Sequence, residues 1–218
     1  MKTSRLAIQR MSKFLFRESD NNNLGYDFKK LKVFLHIQSR MMFDKDFRLH
    51  KEDKDLLLVL YCYFIQDHNA GAIIGLDINK GLLISGPVGC GKTTLMNLMP
   101  NSAWHKIKYE MIPTRNIVNN FNEVGFEVLQ KYKDTKDYCF DDLGLEPTGC
   151  HNTKDCNVME EILLARYDLF KTKNVKTHIT TNLNPEELEA RYGSQFMNRL
   201  GEMFNLIGFA KSSKDKRI

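Results

Sequence analysis

Leu82-Leu83-Ile84-Ser85-Gly86-Pro87-Val88-Gly89-Cys90-Gly91-Lys92-Thr93-Thr94-Leu95-Met96 runs a short apolar strand through a glycine-rich turn into a helix. That order is the setting a phosphate-binding loop requires. Gly86, Gly89 and Gly91 let the backbone curl, so that successive N–H groups face inward around phosphate oxygens. The following helix adds its unpaired N–H groups and the positive end of its dipole. Lys92 reaches the β- and γ-phosphates, and the Thr93 hydroxyl holds Mg²⁺. Gly86, Pro87, Val88, Gly89, Cys90, Gly91, Lys92, Thr93 and Thr94 are therefore the expected contacts of a nucleoside triphosphate. Cys90 lies at the helix start, where the dipole is expected to lower its thiol pKa and sensitise it to oxidation.

The rest of the composition bounds the chain. Its 218 residues, 42% hydrophobic, supply one sizeable core, and no run is long enough to span a membrane. A net charge of +5 permits nucleic-acid contact without demanding it. The five cysteines, Cys62, Cys90, Cys139, Cys150 and Cys156, are an odd number scattered along the chain. That usage suits a reducing, cytoplasmic setting better than a disulfide framework.

Residues 1–70 read as a mostly helical extension and 71–218 as the P-loop core. Lys2, Arg5, Arg10, Lys13 and Arg17 all precede the first acid, Glu18, beside a loose apolar stripe of Leu6, Ile8, Met11 and Leu15. A mitochondrial transit peptide, a basic docking arm and an amphipathic helix packed on the domain all fit that pattern. Helices are expected over Leu31–Met42 and Leu56–Ile65, with a turn or joint at Ser19–Gly25 and a softer break at Asn69-Ala70-Gly71.

From Lys80 onward short apolar runs alternate with helical stretches, which predicts an α/β fold: a parallel sheet flanked by helices. The expected strands are Gly81–Ser85, Lys106–Met111, Asp137–Phe140, Lys176–Thr180 and Leu206–Ala210. The expected helices are Lys92–Leu98, Arg115–Lys131, Val158–Lys171, Pro185–Tyr192 and Ser194–Phe204.

Two strand tips carry further chemistry. Tyr138-Cys139-Phe140-Asp141-Asp142 ends in two carboxylates; beside the P-loop strand, Asp141 would enter the Mg²⁺ sphere and Asp142 would orient or deprotonate the attacking water. Lys176-Thr177-His178-Ile179-Thr180-Thr181-Asn182 ends in an amide that can bond both the γ-phosphate and the lytic water. Asn182 has a second reading, as the cap of the helix starting near Pro185. Cys150, His151 and Cys156 lack a clear fourth ligand for zinc and read as exposed loop residues.

The ordered set Gly86–Thr93, Asp141-Asp142-Leu143-Gly144, Arg166-Tyr167, Thr180-Thr181-Asn182-Leu183 and Tyr192-Gly193 with Asn198-Arg199-Leu200 resembles the AAA+ ATPases of the DnaC/IstB clade. The resemblance spans about residues 75–218. It implies a P-loop, a Mg²⁺ aspartate (Asp141), catalytic Asp142, a sensor at Asn182 and an arginine finger at Arg199 that enters a neighbouring subunit's ATP site. By the residues alone Arg199 reads first as a helical partner of Glu202. The chain departs from the pattern at Asp142, where Glu is frequent, and at Gln195, where many relatives have Arg. Arg217 matches a late Arg of some relatives, as a second-sensor candidate. The stretch after Arg199 is too short for a helical lid domain, in line with the clade.

The resemblance implies an ATP- and Mg²⁺-dependent hydrolase acting in DNA replication with a replicative helicase, binding single-stranded DNA and working as a homo-oligomer away from membranes. A transposition helper with a transposase as partner is the nearest alternative. A P-loop small-molecule kinase and a nucleotide-binding scaffold without turnover are the others. No guanine-reading Asn-Lys-x-Asp motif occurs in the sequence.

Overall fold

The computed structural model describes residues 16–18, 24–26, 28–43, 47, 49–102, 107–210, 212–213 and 215–216. The basic stretch from Lys2 to Leu15 and the second-sensor candidate Arg217 lie outside the described residues. In chain order the elements are β1 (Phe16–Glu18), β2 (Leu24–Tyr26), α1 (Phe28–Phe43), α2 (Lys54–Phe64), α3 (His68–Ile73), β3 (Gly81–Ser85), α4 (Lys92–Leu98), β4 (Glu110–Pro113), α5 (Thr114–Val124), α6 (Glu127–Lys131), β5 (Tyr138–Leu143), β6 (Gly149–His151), β7 (Lys154–Cys156), α7 (Val158–Lys173), β8 (Thr177–Thr181), α8 (Pro185–Met203) and β9 (Phe204–Gly208). Two compact units result: Met1–Ile78 with Gly89–Lys108 and Ser212–Ile218, and Asn79–Val88 with Tyr109–Lys211.

The second unit holds a five-stranded sheet in the order β4-β5-β8-β3-β9, every neighbouring pair parallel. Parallel strands covered on both faces need continuous apolar runs. Leu82-Leu83-Ile84, Tyr138-Cys139-Phe140 and Ile179 meet that need, and all are buried. α5 turns Ile117, Val118 and Phe121 onto one face, and α8 contributes Tyr192, Phe196 and Leu200 to the same core.

Several local expectations are corrected. The stretch Arg115–Lys131 is two helices, because Gly125 turns left-handed at φ 82° and a Cβ there would lie 2.6 Å from the His151 ring. The break expected between Tyr192 and Ser194 is present: Gly193, at φ 79° and ψ 164°, is non-helical and kinks α8 there. Cys150, His151 and Cys156 form an antiparallel hairpin, not a loop. Asn152 and Thr153 turn it with φ 49° and 64°, the positive pair a two-residue hairpin turn needs. Cys150 N–H bonds Asn122 Oδ1 at 2.7 Å, which ties the hairpin to α5. The strand expected at Lys106–Met111 runs Glu110–Pro113.

The first unit is mainly helical. α1 buries Leu31, Phe34 and Leu35 at helical spacing, and α2 buries Leu57, Leu60, Tyr61 and Phe64. α1 also packs against α4. The mostly helical extension also carries two short strands, β1 and β2, which pair antiparallel from Phe16↔Tyr26 to Glu18↔Leu24. Asn69-Ala70-Gly71 lie inside α3, which Asp67 caps by accepting the Ala70 N–H at 2.9 Å.

Candidate functional site

In the second unit the phosphate-loop strand β3 is central, between β8 and β9. Its exit is held from both sides. Gly86 N–H donates to Thr181 O on β8 at 3.2 Å, and Phe209 N–H, just beyond β9, donates to Ser85 O at 2.8 Å.

β8 lies beside β3 and β5 lies beyond β8, so the Asp141 strand is one strand removed from the phosphate-loop strand and not its neighbour as expected. β5 and β8 slip register between Phe140 and Leu143: Phe140 faces Ile179 and Leu143 faces Thr181. Asp141 and Asp142 therefore oppose the single residue Thr180, the two-against-one count of a β-bulge. Asp142 takes up the extra residue in a left-handed conformation, φ 57°. Asp, whose short side chain can bond the nearby backbone, tolerates that region better than longer side chains. Thr180 serves both residues. Its hydroxyl donates to Asp141 Oδ1 at 2.6 Å and accepts the Asp142 N–H at 2.9 Å. Asp141 is buried and Asp142 half-buried.

Asn182 follows β8 directly and is half-buried. The capping role belongs to Asn184, whose Oδ1 accepts the Glu187 N–H at 2.9 Å while Glu187 Oε2 accepts the Asn184 N–H at 2.8 Å. Thr181 donates its hydroxyl to Leu143 O at 2.7 Å and accepts the Leu183 N–H at 3.0 Å, fixing the β8 exit against β5.

Glu146 supports the turn after the two aspartates. It is buried, accepts the Gly144 N–H at 2.8 Å, and bonds Tyr192 and Arg191 of α8. Gly144 is required where it stands: at φ 101°, a Cβ there would lie 2.3 Å from Leu183 Cδ1. The sequence carries no signal for Glu146, since an acid beside Pro147 reads as a solvated loop.

Arg166 and Arg199 part company. Arg166 is buried and donates to Thr177 Oγ1 at 2.6 Å and to the carbonyls of Tyr132, Lys136 and Lys176 at 3.1, 2.8 and 3.0 Å. Those groups cluster at the starts of β5 and β8, the opposite strand ends from Asp141 and Asn182, so Arg166 is a structural tie. Arg199 is half-buried on α8, its guanidinium 4.7 Å from the Tyr167 ring centroid. Glu202, its alternative helical partner, is taken by Lys171 Nζ and the Tyr167 hydroxyl, each at 2.9 Å.

In the first unit the remainder of the loop leads into α4. Gly89 and Gly91 adopt φ 83° and 96°, and Gly91 is the N-cap residue whose carbonyl accepts the Leu95 N–H at 2.9 Å. Lys92 is buried with its ammonium 3.8 Å from Cys90 Sγ; Thr93 and Thr94 are half-buried. Cys90 overturns its expectation. Burial raises its thiol pKa, and the nearby Lys92 and Lys216 charges oppose that only in part. It is a buried thiol whose pKa is raised and not lowered. Among the described residues no group of three or more His, Cys, Asp or Glu is placed to hold a metal ion.

No family model matches the chain, and no curated protein matches it. Solved structures do. The DnaC helicase loader superimposes with a TM-score of 0.54 at 20% identity, over 74% of this chain and 92% of that one. DnaI gives 0.55 at 18%, over 75% and 88%. AMPPCP-bound DnaA from Aquifex aeolicus gives 0.51 at 17%, over 75% of this chain and 48% of that one. The parallel sheet, its strand order and these likenesses define a P-loop fold of the AAA+ type. It is the fold seen in the DnaC helicase loader, DnaI and DnaA.

Proposed function

We propose that this chain binds and hydrolyses ATP with Mg²⁺ and acts in DNA replication as a helicase-loader-like ATPase. The observation that carries the reading is the strand-end bulge, in which Thr180 holds the Asp141 carboxylate and the Asp142 backbone together. Gly86–Thr94 supply the triphosphate contacts, with Lys92 as the cation for the β/γ charge. The donor set suits Mg²⁺, which takes hard oxygen ligands and keeps only one or two carboxylates beside phosphates and water. Asp141 and the Thr93 hydroxyl are the protein's share. Asp142 orients the attacking water, Asn182 senses the γ-phosphate, and Arg199 serves the ATP site of a second copy in a homo-oligomer.

The fold neighbours support a replication setting: one is a helicase loader, and the DnaA structure holds AMPPCP. By that analogy a replicative helicase is the partner, captured through residues 1–70, and single-stranded DNA is bound by the core in a salt-dependent way.

The test is equilibrium binding of a fluorescent ATP analogue together with phosphate release. Lys92→Ala should lose most of the affinity. Asp142→Asn should keep it while hydrolysis falls by about 10²–10⁴-fold, the span of a lost general base. A folded Lys92→Ala protein with undiminished affinity would sink the reading. Pull-down of a replicative helicase with full-length protein and with residues 1–70 deleted tests the partner.

A further inference from the structure

Lys216 is buried inside the first unit, and its ammonium is tied on two sides. It lies 2.9 Å from Asp53 Oδ1, with the two side chains only 1% and 2% exposed. It also donates to Cys90 O at 2.7 Å. The Lys216 backbone N–H donates to Gly89 O at 2.9 Å. Asp53 is itself anchored, its other carboxylate oxygen accepting the His50 N–H at 2.8 Å. Neighbouring side chains close over Gly89 and Gly91. A Cβ on Gly89 would lie 2.4 Å from Asp215 Cγ, and one on Gly91 would lie 2.7 Å from Phe47 Cε2 and 3.3 Å from Lys216 Cδ.

The bonds have a directional consequence. In a trans peptide the carbonyl of one residue and the N–H of the next point opposite ways. Fastening the carbonyls of Gly89 and Cys90 to Lys216 therefore turns the N–H groups of Cys90 and Gly91 away from it. A phosphate nest consists of successive N–H groups held in one direction without a partner carbonyl to flip them. Burying an ammonium is costly unless it is paired and hydrogen-bonded, and Asp53 supplies the pairing. The pair thus holds loop geometry more than it adds stability.

We propose that Lys216, held by Asp53, is a positioning residue for the phosphate-binding loop, presetting the Cys90 and Gly91 N–H groups for a nucleoside triphosphate. The inference rests on the nucleotide-binding reading above. It makes Lys216 and the turn at His50–Asp53 parts of the nucleotide machinery, although neither bears a recognisable motif.

The experiment measures dissociation constants and binding stoichiometry for a fluorescent MgATP analogue on full-length protein. Wild type is compared with Lys216→Arg and with the double variant Asp53→Asn, Lys216→Met, which leaves no unpaired charge buried. The double variant is expected to bind with full stoichiometry but about 10-fold or more weakly, the scale of one lost charge-assisted hydrogen bond. Lys216→Arg keeps a cation and should recover most of that affinity. A purely structural role would lower the bound fraction and leave the constant of the folded molecules unchanged, which overturns the proposal. Hydrogen exchange on wild type gives a second measure that needs no variant. The amides of Cys90, Gly91 and Lys216 should gain protection together when the nucleotide is added, and protection confined to Cys90 and Gly91 overturns the coupling. Wild type that binds no nucleotide removes the nucleotide reading and this inference together; wild type that binds while the folded double variant matches it removes only the role of Lys216.

Discussion

Thr180 donates its hydroxyl hydrogen to Asp141 Oδ1 at 2.6 Å, and the same oxygen accepts the N–H of Asp142 at 2.9 Å. One side chain on β8 thus sets both the carboxylate assigned to Mg²⁺ and the backbone from which the next carboxylate projects. Thr180→Val keeps the shape and deletes both bonds. It should cost about 1–3 kcal/mol of stability, the range for a buried polar group losing its partner. ATP hydrolysis should fall by about 10–100-fold, since small displacements of catalytic groups are expensive. Urea unfolding and phosphate release measure the two effects, and Thr180→Ser should restore both. Wild-type turnover in Thr180→Val would separate the bulge from catalysis.

Asn182 and Asn184 sit two residues apart, and it is Asn184 that caps α8. Asn184→Ala removes the N-cap of α8 and should cost about 0.5–2 kcal/mol of stability with turnover close to wild type. Asn182→Ala should leave the unfolding midpoint nearly unchanged while slowing turnover at saturating ATP. Thermal melts and steady-state kinetics on the pair suffice. Equal loss of turnover in both variants would mean that Asn182 acts only through the helix start.

What the sequence made legible follows from how each feature is encoded. β3, β5 and β8 are apolar runs ended by polar tips, so the strands themselves could be read directly, and α4 was expected at its observed bounds. Their lateral order could not: β8 lies between β3 and the Asp141 strand. The β6–β7 hairpin was not legible: its strands are three residues each, carry Lys154 and Asp155, and turn on Asn-Thr without glycine. The bulge at Asp141-Asp142 depends on Thr180, 38 residues beyond Asp142, and no local pattern announces such a register shift. Glu146 and Lys216 escape for the same reason. Each is an ordinary charged residue whose meaning lies in partners distant along the chain, Tyr192 for one and Asp53 for the other.

His178 gives the fold a pH dependence that can be worked out in sign. It is buried in β8, its Nδ1 accepts the Leu82 N–H at 3.2 Å, and burial first, then the Lys176 and Arg166 charges, push its pKa down to about 3. The unfolded chain protonates an ordinary histidine near pH 6.5, so between there and pH 3 the unfolded state binds the extra proton. Stability is therefore full above about pH 6.5 and declines by about 1.4 kcal/mol per pH unit as pH falls. His178→Asn keeps an acceptor for Leu82 but cannot titrate. Between pH 7 and pH 5 wild type should lose about 2 kcal/mol more than this variant in urea unfolding. Parallel losses in the two proteins would assign the acid sensitivity elsewhere.

Arg199 lies over Tyr167, and the Tyr167 hydroxyl is bonded to Glu202, so the ring under the guanidinium is itself held. An exposed cation–π contact is worth only about 0.5–1 kcal/mol, and Arg199→Ala should lower stability by no more than that. If Arg199 instead meets the transition-state charge on ATP bound by a second copy, the same change should leave ATP affinity intact. Hydrolysis should then drop by about 10³-fold or more, the contribution of an arginine finger. Mixing supplies the decisive comparison. Lys92→Ala copies lack the phosphate cation and Arg199→Ala copies lack the finger, so neither hydrolyses ATP alone. In a mixed assembly some interfaces join an intact Lys92 to an intact Arg199, and phosphate release should reappear with a maximum near equal proportions. No recovery at concentrations where size-exclusion chromatography shows co-assembly would return Arg199 to a role within its own helix.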